Sequence, residues 1–417
     1  MSRRFRFILH IGTEKTGTTT LQGYLHGAQN ELNEHGVAYY ASPGRVESRA
    51  LAASAVGDQA PDDFLKQLSV ESPQQRQVFR EETERHFHAA MTALDERIHT
   101  VVISSEHFHS RLRHPWQVKR LHDLIMPWAN DVRVVVYLRP QTDVLSSFYS
   151  TALKNGEVRN LEALGRKICH AGNHFYNYQS LLELWAKIFG KKALIPRLFT
   201  ADELKQGDIV ADFAEVIGLS PSHATSANLP RQNESINPVG QALLRGLNRA
   251  RKREECALTK EEYQPLARRV MNVFSGSGER LPSTVEAELQ SLFEVSNRWV
   301  CDQFFNEREA LFPSAQNQPH KGSFVFSKEQ LALVQMVMSR LERSNVNGLP
   351  EMDSCACYLR DRAVALESKD IVMARKLMAM AHHIRPHGPF IAKKLEEYEA
   401  RSGLWNRVVN WLAQRRS

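Results

Sequence analysis

The chain has 417 residues, 42% hydrophobic and 24% charged, which excludes extended disorder and allows one large domain or two smaller ones. Its formal net charge of +7 favours anionic ligands or surfaces without choosing among nucleotide, nucleic acid, acidic glycan and lipid headgroup. The five cysteines are few and odd in number, which argues against a disulfide framework, and Cys355-Ala-Cys357 has no second pair to complete a zinc site.

Behind a basic N-terminus, the apolar run Phe7 to Ile11 is too short for a signal segment, and no stretch reaches the roughly 20 apolar residues of a membrane span; the expectation is a cytoplasmic protein. Phe7 to Ile11 reads as a short buried strand, followed by the turn Gly12 to Thr20 and a helix carrying Leu21, Tyr24 and Leu25. Gly36 to Tyr40 is a second strand, and residues 60–98 are charged and helical in pattern. Thr100 to Ser104 is a third strand, ending at Ser105-Glu106-His107, and Val132 to Leu138 is a fourth. Ala193 to Phe199 is a fifth, with Pro196 arguing for an edge position or a distortion.

Short β-branched runs separated by helical patterns imply an α/β fold with a mainly parallel sheet of about five strands flanked by helices. Functional groups in such sheets gather beyond the carboxyl ends of the strands, where the 12–20 loop, Glu106 and Arg139 fall. Residues 236–312 are helical in pattern, including Val239 to Leu247 and Val285 to Phe305; 313–323 read as a loop, and a helix runs from Ser327 to Arg343. The turn-rich segment 345–350 marks a boundary. The expected organisation is a main domain over 1–344 with helical insertions near 60–98 and 250–300, a helical hairpin over 351–400 and a tail helix over 403–417.

Gly12 and Gly17 match the glycines of a phosphate loop, a turn that offers backbone N–H groups and a helix N-terminus to an anion. Thr18 stands where an ATP-binding loop carries its lysine, and Lys15 lies inside the loop instead. Taken alone, the segment is equally well read as a threonine-rich helix start with a solvated lysine.

Lys15-Thr16-Gly17-Thr18-Thr19 resembles the K-[ST]-G-T-T loop that binds the 5′-phosphosulfate of PAPS (3′-phosphoadenosine 5′-phosphosulfate) in sulfotransferases. Arg139 followed eight residues later by Ser147 resembles their 3′-phosphate motif, with Ser146 leaving a one-residue ambiguity that the spacing resolves. Weaker likenesses lie in Tyr178 to Gly190, in Leu198 to Leu204 with Asp212-Phe213 and Ile217-Gly218-Leu219, and in Asn233-Glu234-Ser235 with Leu247-Asn248. Together they cover roughly residues 5–250. The resemblance implies the P-loop-like sulfotransferase fold of bacterial-type members, with Lys15, Thr16, Gly17, Thr18 and Thr19 on the 5′-phosphosulfate and Arg139 and Ser147 on the 3′-phosphate. It implies no metal requirement. Arg231 and Lys321-Gly322 are further basic candidates for the nucleotide.

Transfer to a hydroxyl or amine requires a base, and Glu106, His107 and His109 follow the third strand together. Glu106 comes first and matches the glutamate of glycan sulfotransferases, which points to a carbohydrate acceptor; His107 is the second candidate, and a surface trio without a role stays open. Asp370, Ala374, Ala381 and Pro386 have the spacing of one tetratricopeptide-type repeat, too few for a free-standing array. Leu404, Val408, Trp411 and Leu412 share a helical face near Arg401, Arg407, Arg415 and Arg416, which suits peripheral contact with an anionic membrane or docking on the protein itself. A P-loop kinase or NTPase and a non-catalytic adaptor acting through the tail are the rival readings. A nucleic-acid partner is not expected, because the basic residues are scattered and no aromatic-basic platform is present.

Overall fold

The structure is a computed structural model that describes residues 3–220, 235–252, 258–312, 327–343, 350–385 and 387–414, with the side chains beyond Arg401 excluded. It divides into two compact units that interleave along the chain. Unit 1 comprises Met1–Leu145, Arg166–Asn233 and Thr284–Ser314; unit 2 comprises Ser146–Gly165, Glu234–Ser283 and Ala315–Ser417.

Unit 1 holds five strands, β1 (Phe5–His10), β2 (Val37–Tyr40), β3 (Thr100–Ser104), β4 (Ala129–Leu138) and β5 (Leu194–Leu198). They form one sheet in the order β2-β3-β1-β4-β5, with every pairing parallel. The strands read as nearly unbroken apolar runs because both faces are covered. Phe7, Leu9, Val101, Ile103, Val134 and Val136 pack on one side, under the helices Pro115–Ile125 and Tyr178–Phe189. Ile8, Val102, Val135 and Tyr137 pack on the other, under Thr18–Gly27 and Ile209–Val216. Pro196 sits in β5, an edge strand, where a missing backbone donor is tolerated. In register, His10 lies beside Ser104 on one side and Val135 on the other, so the chain leaves β1 and β3 at the same level.

A buried polar cluster fastens β4 and β5 to the helix Ile209–Val216. Asp212 is 1% exposed; the Tyr137 hydroxyl donates to it at 2.7 Å, and Arg197 grips it with two bonds of 2.6 Å. The Lys205 N–H adds a fourth donor at 3.1 Å.

Unit 2 is helical, built from Pro238–Lys252, Lys260–Val273, Lys328–Arg343, Pro350–Leu366, Ile371–Ile384 and Pro389–Gln414. The helix Gln141–Lys154 crosses the division after Leu145. Its second half is held in unit 2 by Arg245, which donates to the Tyr149 hydroxyl at 2.6 Å, and by Asn248, which donates to the Leu153 and Glu157 carbonyls at 2.8 Å. Asp370 caps Ile371–Ile384 through the Met373 N–H, and Ala374 and Ala381 are fully buried, as close helix packing requires. Pro386 lies outside the described residues.

One expectation meets a different arrangement. The Val285–Phe305 pattern is two helices, Ser283–Ser291 and Glu294–Phe304, parted at Leu292-Phe293 where the fully buried Phe293 turns inward. By spatial contact, Ser146–Gly165 and Glu234–Ser283 group with Ala315–Ser417. Residues 344–349 lie outside the description, as does the 313–323 loop. Among the described residues, no helix is long and apolar enough to cross a membrane.

Asp212→Ala leaves the Arg197 guanidinium and the Tyr137 hydroxyl without their acceptor and should lower stability by about 3 kcal/mol. Thermal unfolding measures this, and a loss no larger than that of a surface substitution would refute the anchoring role.

Candidate functional site

The loop after β1 is stitched to β4 by backbone bonds. The Ile11 N–H donates to Val135 O (2.9 Å), the Thr13 N–H to Tyr137 O (3.1 Å), and the Tyr137 N–H to Gly12 O (2.7 Å). The Thr13 hydroxyl doubles the contact to Tyr137 O at 3.0 Å. Gly12 has φ +107°, and a Cβ there would lie 3.2 Å from Glu106 Cα, so the loop and the end of β3 touch only because the residue is glycine. Lys15 and Gly17 are both left-handed, at φ 69° and 73°. Left-handed residues at short spacing in a turn are a feature of anion-binding turns.

Gly17 is the N-cap of the helix Thr18–Gly27 and has no side chain to cap its first N–H groups. A helix start of this kind, with its dipole, is suited to receive an anion. The Thr16 hydroxyl points back and donates to Thr13 O at 2.6 Å. Thr16 would thus reach an anion through its backbone N–H, leaving the hydroxyls to Thr18 and Thr19. Arg139, at the end of β4, donates to Lys15 O at 2.9 Å, and its guanidinium lies 5.7 Å from the centre of the Phe199 ring. The predicted 3′-phosphate arginine thus also supports the loop. Ser147 is half-buried on the helix Gln141–Lys154. Arg231 and Lys321-Gly322 lie outside the described residues.

Beside the loop stands a cluster of carboxylates. Gln22 donates to Glu106 Oε2 at 2.7 Å. The segment following β2 delivers a second glutamate that the sequence does not single out. The Ser48 N–H donates to Ser104 O (3.1 Å), and the Ser48 hydroxyl donates to Tyr40 O (2.6 Å). Glu47 is thereby placed where it accepts from the Ser105 hydroxyl at 3.1 Å. Side-chain atoms of Glu47, Glu106 and His107 lie within 4.8 Å of one another.

Burial and the negative charge of Glu106 push the Glu47 carboxyl up to about 7, against the Ser105 hydrogen bond and the Arg49 and Arg45 charges. Burial also raises Glu14, and Glu106 adds to the rise. Burial lowers His107 to about 4, so its imidazole is neutral at pH 7. His109 is a different case. It is fully buried, 4.9 Å from the Phe175 ring and stacked on His174, so it serves the core while Glu106 and His107 face the cluster. An open cavity of about 340 Å³ adjoins β2, lined by Tyr39, Ser42, Arg45, His86 and Met91 among others.

No protein-family model matches the chain. An uncharacterized protein of Archaeoglobus fulgidus is 23% identical over 203 residues, 48% of this chain and 49% of that protein. The chain thus spans about half the length of the curated relative it matches. The crystal structure of a sulfotransferase from Alicyclobacillus acidocaldarius aligns with 56% of this chain and 88% of that one, at 16% identity and a TM-score of 0.36. A likeness at that level assigns no family and no residue role.

Gly12→Ala should cost about 1–3 kcal/mol, since a Cβ at a positive φ must also displace Glu106; denaturant unfolding reads it. For Glu47, the folded carboxyl titrates above its ordinary 4.5, so its contribution to stability is full below that pH and is lost as pH rises through about 7. Glu47→Gln should therefore stabilise the protein at pH 8, by at most about 3 kcal/mol, and have little effect at pH 4. Equal melting temperatures for the two proteins at pH 8 would refute the raised carboxyl.

Proposed function

We propose that this protein is a sulfotransferase that moves a sulfuryl group from PAPS to an acceptor hydroxyl. The observation that carries the reading is the loop itself. Lys15 sits within a glycine-flanked turn that feeds an uncapped helix N-terminus, with Glu106 against its first glycine.

In this reading the amides of Thr16 to Thr19 and the Thr18 and Thr19 hydroxyls hold the 5′-phosphosulfate. Arg139 and Ser147 hold the 3′-phosphate; a forked guanidinium suits a phosphate, and their spacing along the sequence supports the pairing. Glu106, oriented by Gln22, takes the proton of the acceptor hydroxyl. The acceptor oxygen bonds to sulfur as the sulfur–oxygen bond to the 5′-phosphate breaks. The Lys15 ammonium stabilises the charge that collects on the bridging oxygen. The departing phosphate is a stable anion and needs no proton. The sulfuryl group carries less charge than a transferred phosphoryl group, and the reading invokes no metal. A carbohydrate acceptor is proposed on the likeness of Glu106 to the glutamate of glycan sulfotransferases.

Calorimetry with adenosine 3′,5′-bisphosphate and with AMP tests the donor. The bisphosphate should bind about 10- to 100-fold more tightly, the value of a charge-assisted contact to the added phosphate. Equal affinities would sink the Arg139–Ser147 assignment, and measurable turnover of ATP with Mg²⁺ would favour a kinase. Lys15→Ala should lower kcat at least about 100-fold with the melting temperature unchanged. An active, folded variant would remove the lysine from the chemistry.

A further inference from the structure

We infer that Glu47 and Glu106 form a carboxyl–carboxylate pair that shares a single proton, with Glu47 relieving Glu106 of the proton taken from the acceptor. The relay role rests on the sulfuryl-transfer reading; the shared proton itself does not.

The geometry has three parts. Glu106 is anchored from one side by Gln22 (2.7 Å) and Glu47 from the other by the Ser105 hydroxyl (3.1 Å), so neither carboxyl is free to swing away. Their oxygens lie within 4.8 Å of each other, at the level where β1 and β3 end. Of the cations nearby, Arg45 is exposed and lies over the Phe64 ring at 4.9 Å, and two others are held by aspartates. Arg49 is buried and donates to both Asp62 oxygens at 2.7 Å, and Arg111 pairs with Asp63 at 2.5 Å.

The groups facing Glu47 are Glu106, Ser105 and His107 at the end of β3, Tyr39 of β2, Arg45 of the following loop and Arg49 of the helix Arg49–Ala55. Tyr39 is pushed far above neutrality by burial and by both glutamates, and it keeps its proton. His107 is neutral at pH 7, so it brings no charge to balance the carboxylates. Two carboxylates this close, with one partly buried and the Arg45 and Arg49 charges outweighed by burial and mutual repulsion, are relieved by one proton.

Sulfuryl transfer releases that proton. The acceptor O–H bond breaks as its oxygen bonds to sulfur, and adenosine 3′,5′-bisphosphate leaves without protonation. The proton passes from the hydroxyl to Glu106, then to Glu47, and to water when products depart. Below about pH 7 Glu47 already holds its proton and cannot receive another, so turnover should fall on the acid side of neutrality.

The direct test is a ¹³C NMR titration of glutamate carboxyls in the full-length wild type, Glu47→Gln and Glu106→Gln. One resonance should titrate near 7 in the wild type, be missing in Glu47→Gln, and move down by at least about one pH unit in Glu106→Gln. A midpoint that ignores Glu106→Gln would overturn the pair. A midpoint displaced by a chelator would give the cluster to a bound cation and overturn it as well. For the relay, the readout is transfer from labelled PAPS to an acceptor found by screening. Glu47→Gln should lose about 100-fold in kcat with little change in KM, and its acid limb should move below pH 6, while Glu47→Asp restores both in part. An unchanged limb in Glu47→Gln would overturn the relay. A wild type that neither binds adenosine 3′,5′-bisphosphate nor transfers sulfate would overturn the relay together with the sulfotransferase reading, and the NMR titration would still decide the shared proton.

Discussion

Tyr137 holds two parts of unit 1 together, and the site depends on both. Its backbone exchanges hydrogen bonds with Gly12 and Thr13, which fixes the loop after β1 against β4. Its hydroxyl donates to the buried Asp212, which Arg197 also grips. The loop therefore rests on a sheet position that is itself locked to a helix. A turn that holds Lys15 in a left-handed conformation needs such restraint, because a residue with a Cβ seldom occupies it in a free chain, whereas Gly17 adopts it without strain.

Opposite electrostatic demands meet at this loop. The uncapped helix start and Lys15 favour an anion, while Glu14, Glu47 and Glu106 place carboxyls a few residues or a few ångströms away. Burial and mutual repulsion move the Glu14 and Glu47 carboxyls toward their neutral forms. That shift lowers the negative charge facing Lys15 and the helix start, and it brings a carboxyl into the range where proton transfer at neutral pH is efficient.

Much of the architecture was legible in the chain. Val101 to Ile103 and Val134 to Leu138 are apolar at consecutive positions, which suits strands covered on both faces, and of the two readings Pro196 allowed, an edge or a distortion, β5 is an edge. The glycines at 12 and 17 and the displaced Lys15 marked the loop. The break at Leu292-Phe293 was not legible, because an apolar helical pattern runs straight through it. His109 was indistinguishable from His107 in the sequence; the two differ in which way a short helix turns them, one toward Phe175 and His174, the other toward Glu106.

Sequence by itself determined the strands, their alternation with helices and the loop that ends β1, since each is written in local periodicity or in residues with special backbone freedom. It also brought forward Glu106, which follows directly from a strand end. Only the tertiary structure decided that Glu47 belongs beside it. Glu47 lies in a polar turn with no pattern to distinguish it, far from Glu106 in the chain. The parallel pairing of β2 with β3, completed by Ser48 on Ser104, places them together. Strand order is settled by long-range packing, and so, with it, is the company each carboxyl keeps.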